Sequence, residues 1–349
     1  MGVSIRSDVS SVAPGQSFSE FSFLIYSSMK KIVTCISFVF LCLAACSGTT
    51  SQDGGSEPVP VKWETKQIRE GLTWMRFRGK ESLTGKAQVI NVLDLDLQSS
   101  DLVLEFQYYD PKITLSDAIA RTSGAIAGTN ASFGTPHTFI RTGGTTWCDL
   151  SEADPNVRGN WYKHEAAIWY DGAGHVGFLN YEGDPYGAIP AYQATTWPNM
   201  FSTEPLLIEN HEYVTWSGKK GFITTVAPRT AVALLDNGHL LFITVDGRWY
   251  GMAAGMTIAE LRDFIKLNFD PAYAINMDGG GSTTMYIEGY GEDGVVNYPC
   301  NSNGASTSGA AEYDGSFTER KLPSFFVIKE KPMDKAARKA AKKARKERK

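Results

Sequence analysis

At 349 residues, with 42% hydrophobic and 21% charged side chains, the chain has a globular composition and length for one large domain or two small ones. Its formal charge of −4 is unevenly spread: residues 331–349 carry ten Lys and Arg against Asp334 and Glu347, which leaves the remainder near −12. That balance argues against nucleic acid as the partner of the main domain.

The first elements are targeting sequence. Met29-Lys30-Lys31 leads into a nearly unbroken apolar run over residues 32–43, then Leu43-Ala44-Ala45-Cys46. A short basic stretch, an apolar segment too short for a stop-transfer helix, and small residues before a cysteine describe a secretory signal. The ending is similar to a bacterial lipobox, so residues 29–45 are expected to be removed and Cys46 lipidated. Residues 1–28 then read as an over-extended start. An ordinary cleaved signal or a membrane anchor would leave the cysteine unexplained. Residues 46–60, rich in Ser, Gly, Thr and Pro, read as a flexible tether. The expected location is the bacterial cell envelope, with the lipid anchor in the outer membrane and the domain on its periplasmic or surface face.

Residues 61–330 read as one domain. Residues 89–97 and 102–108 alternate in polarity around Gln98-Ser99-Ser100-Asp101, which predicts a hairpin with one buried face. Ser116 is the expected N-cap of a short helix through Arg121, and residues 125–128 form a strand ending at Asn130. The middle, residues 132–223, is irregular, with strands expected at 164–170 and 176–179 around Asp171-Gly172. Long loops on a compact domain commonly carry function. Residues 230–235 and 240–245 are apolar runs joined by Asp236-Asn237-Gly238-His239, a hairpin of central strands. Thr257-Ile258-Ala259-Glu260 is a capping box opening a helix that Pro271 bars from continuing. Strands follow at 272–277, 284–288 and 320–328. Hairpin-connected strands with interspersed helices predict an α+β fold of mixed, mostly antiparallel sheets with packed helices. The tail from Lys331 reads as a solvated basic appendage, with attraction to an anionic membrane or polymer as the sharper alternative.

Cys148 and Cys300 remain after the signal, and a disulfide between them is one option in an oxidising compartment. No Cys and His cluster has metal-ligand spacing, so no metal is assigned. Carboxylates beside a phosphate could hold a divalent ion, but no ligand spacing demands one, and no cofactor is assigned.

The densest chemistry lies at Asn276-Met277-Asp278-Gly279-Gly280-Gly281-Ser282-Thr283-Thr284. An apolar run ends in a carboxylate, then come glycines that give φ freedom and let another backbone approach. A hairpin turn would need only two such residues. The strand ends at Asn130, at Asp246-Gly247-Arg248 and at Asp278 would meet at one sheet edge if those strands run parallel. Arg229 and Thr230 join them if their strand is antiparallel, as the hairpin requires. Arg229, Arg248 and Arg320 offer forked donors for phosphate or carboxylate. The backbone from Gly279 to Ser282 offers N–H groups for an anion. Each signal alone reads as a turn or a structural ion pair; together they read as a site. A P-loop, a dinucleotide fingerprint and a Gly-x-Ser-x-Gly elbow are all missing.

Pro228-Arg229-Thr230-Ala231, Val245-Asp246-Gly247-Arg248, Gly255-Met256-Thr257 and residues 276–285, in that order and spacing, resemble the phosphodiester glycosidase family over residues 86–330. Asn130 and Phe133 match the family's Asn-Gly-Gly-Phe without its glycines. Glu319 and Arg320 match its Asp-Gly-Glu-Arg across an insertion after Asp314. The resemblance implies hydrolysis of a carbohydrate sugar-1-phosphodiester. It implies Asp278 and Asp246 as catalytic carboxylates, with Asn130, Arg229, Thr230, Arg248, Gly279, Gly280, Gly281, Ser282, Thr283, Glu319 and Arg320 binding substrate and phosphate. The competing expectation is a non-catalytic glycan-binding envelope lipoprotein on the same fold. Oligomeric state is not legible.

Overall fold

The computed structural model describes residues 57–99, 101–134, 137–151, 153–155, 159, 161–216, 220–300 and 315–331. The signal, Cys46, most of the tether and the tail beyond Lys331 lie outside the described residues. No helix among the described residues is long and apolar enough to cross a membrane.

Strands dominate. The chain opens with β1 (Glu64–Arg69), β2 (Leu72–Lys80), β3 (Ala87–Asp96) and β4 (Leu102–Ile113), then a helix over Leu115–Arg121 and β5 (Ala125–Asn130). The middle holds β6 (Ile140–Thr142), β7 (Thr145–Cys148), β8 (Ala166–Tyr170), β9 (Val176–Asn180) and β10 (Asn199–Thr203). Short β11 (Leu206–Glu209) and β12 (Glu212–Tyr213) precede the hairpin of β13 (Arg229–Leu234) and β14 (His239–Val245). A helix over Ile258–Phe269, β15 (Tyr273–Asn276), β16 (Met285–Ile287) and β17 (Leu322–Glu330) complete the described order.

These strands form sheets of eight (β1-β2-β3-β14-β13-β15-β11-β12), five (β7-β6-β10-β8-β9) and four (β16-β5-β17-β4). Every hydrogen-bonded pair of these strands is antiparallel. The fold is therefore sheet-dominated, more so than the α+β class expected from the sequence.

The expected hairpin of residues 89–97 and 102–108 does not form. β3 pairs with β2 and β14, whereas β4 pairs with β17 in another sheet. The burial pattern gives the reason. β3 is buried at consecutive positions, as an interior strand must be, while β4 alternates. The chain passes from one sheet to the next between them. The helix at 115–121 is capped by Thr114, whose hydroxyl accepts from Asp117 N–H at 3.1 Å, and not by Ser116.

The hairpin of β13 and β14 forms as expected, with Leu234 opposite Leu240. β13 is antiparallel to both β14 and β15, so those two run parallel to each other. Arg229 faces Val245 and Ala231 faces Asn276, which brings the start of β13 and the ends of β14 and β15 to one edge. β5 ends beside this edge from the four-stranded sheet, not from the same sheet.

All three sheets feed the main core. Phe242 and Ile275 come from the first, Ile168 and Phe201 from the second, and Phe106 and Phe326 from the third. Phe106 stacks on Phe201 at 4.8 Å and meets Phe326 edge-on at 4.8 Å. On its other face the large sheet buries Ala231, Leu241 and Ile243 against Leu261, Phe264 and Ile265 of the long helix. That helix has the full capping box: Thr257 accepts from Glu260 N–H at 3.0 Å, and Glu260 accepts from Thr257 N–H at 2.7 Å. Replacing Thr257 with Ala should cost about 1 kcal/mol, visible as a melting temperature lowered by about 2–4 °C. Calorimetry checks this, and Thr257→Ser should restore most of the loss.

Candidate functional site

The site is built where the three strand ends of the large sheet meet the end of β5. Asn130 joins them. Its Nδ2 donates to the Asp278 carbonyl at 2.6 Å, and its Oδ1 accepts from Thr284 N–H at 3.1 Å and from the Thr230 hydroxyl at 2.8 Å. Asp278 N–H donates in turn to the Ala131 carbonyl at 3.0 Å. Thr230 also lies 3.3 Å from the Thr283 hydroxyl. One buried amide therefore holds both ends of the glycine loop.

The glycines serve close approach. A Cβ on Gly279 would sit 2.7 Å from the Pro228 carbonyl oxygen, and Gly280 has φ +61°. Gly280 N–H donates to that same Pro228 carbonyl at 2.8 Å, and residues 280–282 close a 3-10 turn. Ser282 and Thr283 N–H groups bond Gly279 and Gly280 carbonyls, so much of the expected N–H nest is engaged within the loop.

Arg229 and Arg248 flank this loop. Arg229, 4% exposed, donates through Nε to the Met256 carbonyl at 2.9 Å and through Nη2 to the carbonyls of Phe222 and Thr225. Its guanidinium lies 5.4 Å from the Phe222 ring centre. Burial, with the nearby Arg248 charge, lowers its pKa to about 10 while Glu260 opposes. It stays protonated at neutral pH, so two like charges are held close together. Arg248 sits at φ 65° on the half-buried turn after β14. Its guanidinium nitrogens would lie 3.3 and 3.5 Å from a Cβ on Gly280, so the arginine lies close against the loop at the residue whose φ of +61° favours glycine.

Asp278 is half-buried as a residue, with its carboxyl closely surrounded by protein. Burial raises its carboxyl pKa to about 6, against the Ser282 hydroxyl, the charges of Arg320 and Lys163, and the Gly279 N–H. Arg320 Nη1 donates to the Ser282 hydroxyl at 3.3 Å, which ties it to the same corner. Lys163, from the irregular middle, was not legible as a site residue: it has no motif around it. Its ammonium lies 5.6 Å from the Phe133 ring centre and faces the charges of Asp278 and Glu204. Glu204 is fully buried, and burial with Glu182 repulsion pushes its pKa to about 9 against Lys163.

Asp246 has a different setting. It is 1% exposed, and its oxygens accept from Asn297 Nδ2 at 2.8 Å and Tyr298 N–H at 3.1 Å. Asn297 also donates to the Thr283 carbonyl at 3.1 Å and accepts from Met285 N–H at 2.8 Å. Asp246 thus reaches the glycine loop through Asn297, a residue that no sequence signal marked. Burial raises its pKa to about 7, opposed by those two donors and the Arg76 charge.

Glu319 is placed elsewhere. Its carboxylate accepts from Ser116 N–H at 3.2 Å and from the Ser116 hydroxyl, at the start of the first helix. It lines a cavity of about 320 Å³ with Thr114, Glu292, Asp293 and Phe317. No disulfide joins Cys148 and Cys300, which are buried in separate clusters. Burial, with Asp149 and Asp154, pushes the Cys148 thiol up to about 11. Among the described residues no group of three or more His, Cys, Asp and Glu is placed to hold a metal ion.

A family model described as phosphodiester glycosidase matches residues 124–329. No curated protein matches the chain. Among solved structures, a hypothetical protein from Synechocystis is similar with TM-score 0.54 and 14% identity, over 78% of this chain and 64% of that one. The chain thus spans less than two thirds of that protein's length. The zebrafish N-acetylglucosamine-1-phosphodiester alpha-N-acetylglucosaminidase catalytic domain, auto-inhibited by its pro-peptide, is similar with TM-score 0.52 and 15% identity. That match covers 81% of this chain and 94% of the zebrafish domain. At such identities the two structures show a shared fold.

Two outcomes test this geometry. Asn130→Asp keeps the shape but turns a carboxylate oxygen toward the Asp278 carbonyl, so stability should fall by about 2–3 kcal/mol in denaturant titration. Asp246 holds a proton in the folded state at pH values where the unfolded chain has lost it. Between about pH 4 and 7, stability contributed by this group therefore falls as pH rises, and it levels off above. Melting temperature should drop across that window, and Asp246→Asn should drop less.

Proposed function

The chain belongs to the phosphodiester glycosidase family, and on that premise we propose that it hydrolyses carbohydrate sugar-1-phosphodiesters. The bond between the anomeric carbon and the phosphate oxygen breaks, and its electron pair leaves on the phosphomonoester. Water supplies hydroxide to the carbon and a proton to the medium.

The observation that carries this reading is Asp278, a half-buried residue whose carboxylate faces Arg320 and Lys163 on the loop against which Arg248 lies. Such a site suits a substrate with an electrophilic carbon on one side and an anion on the other. We assign Asp278 to the anomeric carbon, acting directly or through the attacking water. Arg248, Arg320 and Lys163 hold the phosphate as negative charge develops on it. A phosphomonoester is a good leaving group, so no strong general acid is needed. Side-chain cations fill the role that a metal would otherwise take, and the proposal assigns no cofactor. Arg229 supports the site by adding positive charge next to Arg248.

Asp246 is assigned a positioning role. With both oxygens engaged and almost no exposure, it acts on the glycine loop through Asn297 and does not reach substrate. The domain works, in this reading, as a lipid-anchored envelope enzyme, tethered through Cys46.

The full chain should cleave sugar-1-phosphodiesters, and Asp278→Asn should lower kcat by about 10²–10⁴-fold with the melting temperature retained. Unchanged turnover would overturn the assignment; tight binding without any cleavage by the unmodified protein would favour the glycan-binding alternative. The rate should also rise with pH through an inflection near the Asp278 pKa of about 6. Because the Arg320 charge holds that pKa down, Arg320→Met should move the inflection upward in the pH–kcat/KM profile.

A further inference from the structure

Arg76, Asn91 and Thr244 stand in one row across β2, β3 and β14, with Asn91 opposite Arg76 on one side and opposite Thr244 on the other. Alternation along the strands puts Asn91 on the face of Leu93 and Thr244 on the face of Phe242, both in the main core. Asn91 and Thr244 are fully buried, and Arg76 is half-buried. Each of the three carries a buried polar atom without a hydrogen-bond partner: Arg76 Nε, Asn91 Nδ2 and Thr244 Oγ1. Buried polar atoms in folded proteins are almost always satisfied, so three such atoms on adjacent strands point to a ligand.

The surrounding bonds use up the neighbouring groups. Asn91 Oδ1 accepts from the Trp74 indole at 3.2 Å, which sets the amide orientation and makes Nδ2 its free end. Arg76 Nη2 donates to the Tyr298 hydroxyl at 3.3 Å, and Arg76 forms no ion pair among the described residues. Asp246 feels the Arg76 charge, but its oxygens accept from Asn297 and Tyr298. Thr230, opposite Thr244 on β13, gives its hydroxyl to Asn130.

The unmet groups are therefore a guanidinium N–H, an amide NH₂ and a hydroxyl, with donors in excess beside a positive charge. A water molecule accepts two hydrogen bonds and must place two protons of its own, for which the row offers one hydroxyl oxygen. A halide accepts from all three groups and offsets the guanidinium charge. Directly opposed side chains leave their strands about 5 Å apart, a spacing that suits one small ion and is too tight for a phosphate or a sugar.

We propose that Arg76, Asn91 and Thr244 form a binding site for a small monovalent anion of chloride size. The ion ties β2, β3 and β14 together beside the strand end that carries Asp246. This site is separate from the proposed phosphate contacts and does not depend on the proposed hydrolysis.

Crystals of the full chain grown in sodium bromide give the direct reading. An anomalous bromide peak between Arg76 Nε and Asn91 Nδ2 is expected, and water alone at that position overturns the site. In solution, replacing sodium gluconate with sodium chloride at constant ionic strength should raise the melting temperature by about 2–4 °C along a saturating curve. Asn91→Asp, which puts a carboxylate where the amide was, should abolish that rise, and Thr244→Val should weaken it. Arg248→Met, which removes a guanidinium from the phosphodiester site, should retain it. No rise in the unmodified chain, or a rise lost only with Arg248→Met, overturns the anion site and leaves the proposed hydrolysis intact. Should Asn91→Asp fail to fold, the bromide crystal of the unmodified chain still decides.

Discussion

The site depends on the Asn130 side chain. Its amide donates to the Asp278 carbonyl and accepts from Thr284 N–H, so it bridges the two ends of the glycine loop. Because Asn130 ends a strand of the four-stranded sheet, this bridge also joins that sheet to the eight-stranded one. A loop with three successive glycines loses more backbone entropy on ordering than any other sequence of that length. Buried hydrogen bonds at both of its ends offset that cost, and they are strong because the low surrounding dielectric leaves them no competing water. Asparagine suits the position because it is donor and acceptor at once. A carboxylate or an aliphatic residue would leave at least one of those backbone groups without its partner.

Three carboxyl groups near this junction divide by environment. Asp278 is partly accessible and faces cations, so its pKa of about 6 leaves it mostly ionised at neutral pH. Asp246 is almost fully covered and held by two N–H donors, and burial takes it to about 7. Glu204, buried beside Lys163 with Glu182 repelling it, is neutral at that pH. Desolvation acts on all three, and the difference lies in what opposes it. Only the group with access to solvent can meet a substrate. Environments that separate the pKa values of neighbouring carboxyls also separate their roles.

Much of this was legible in the sequence. The hairpin at Asp236-Asn237-Gly238-His239 oriented β13, and the strand ends at Asp246 and Asp278 then had to share an edge with Arg229. The capping box at Thr257 located the long helix. What could not be read was long-range. β3 and β4 look like a hairpin because local alternation carries no information about which sheet a strand enters. Asn130 reaches the site from a second sheet, which strand-end reasoning within one sheet did not provide. Lys163 and Asn297 carry no motif, and they matter only because folding brings the irregular middle and the segment after β16 against the loop. Glu319 shows the reverse. It adjoins Arg320 in the chain, yet it turns to Ser116 while Arg320 turns to Ser282.

The close backbone contacts explain why these parts must be set together. A Cβ on Gly247 would lie 2.8 Å from Pro228 N and 2.9 Å from the Gly255 Cα, and one on Gly255 would lie 2.6 Å from the Ala227 carbonyl oxygen. With Gly279 against Pro228, three separate loops converge on the same two residues, Ala227 and Pro228. No side chain separates them, so the turn bearing Arg248, the start of β13 bearing Arg229 and the loop bearing Asp278 cannot shift independently. Two arginines held near each other repel, and a flexible loop would let them part. Here the backbone contacts keep them together, and Glu260 offsets only part of the burial and Arg248 repulsion that Arg229 bears. The same close packing that makes glycine necessary at these positions thus creates the electrostatic demand that a phosphate would meet.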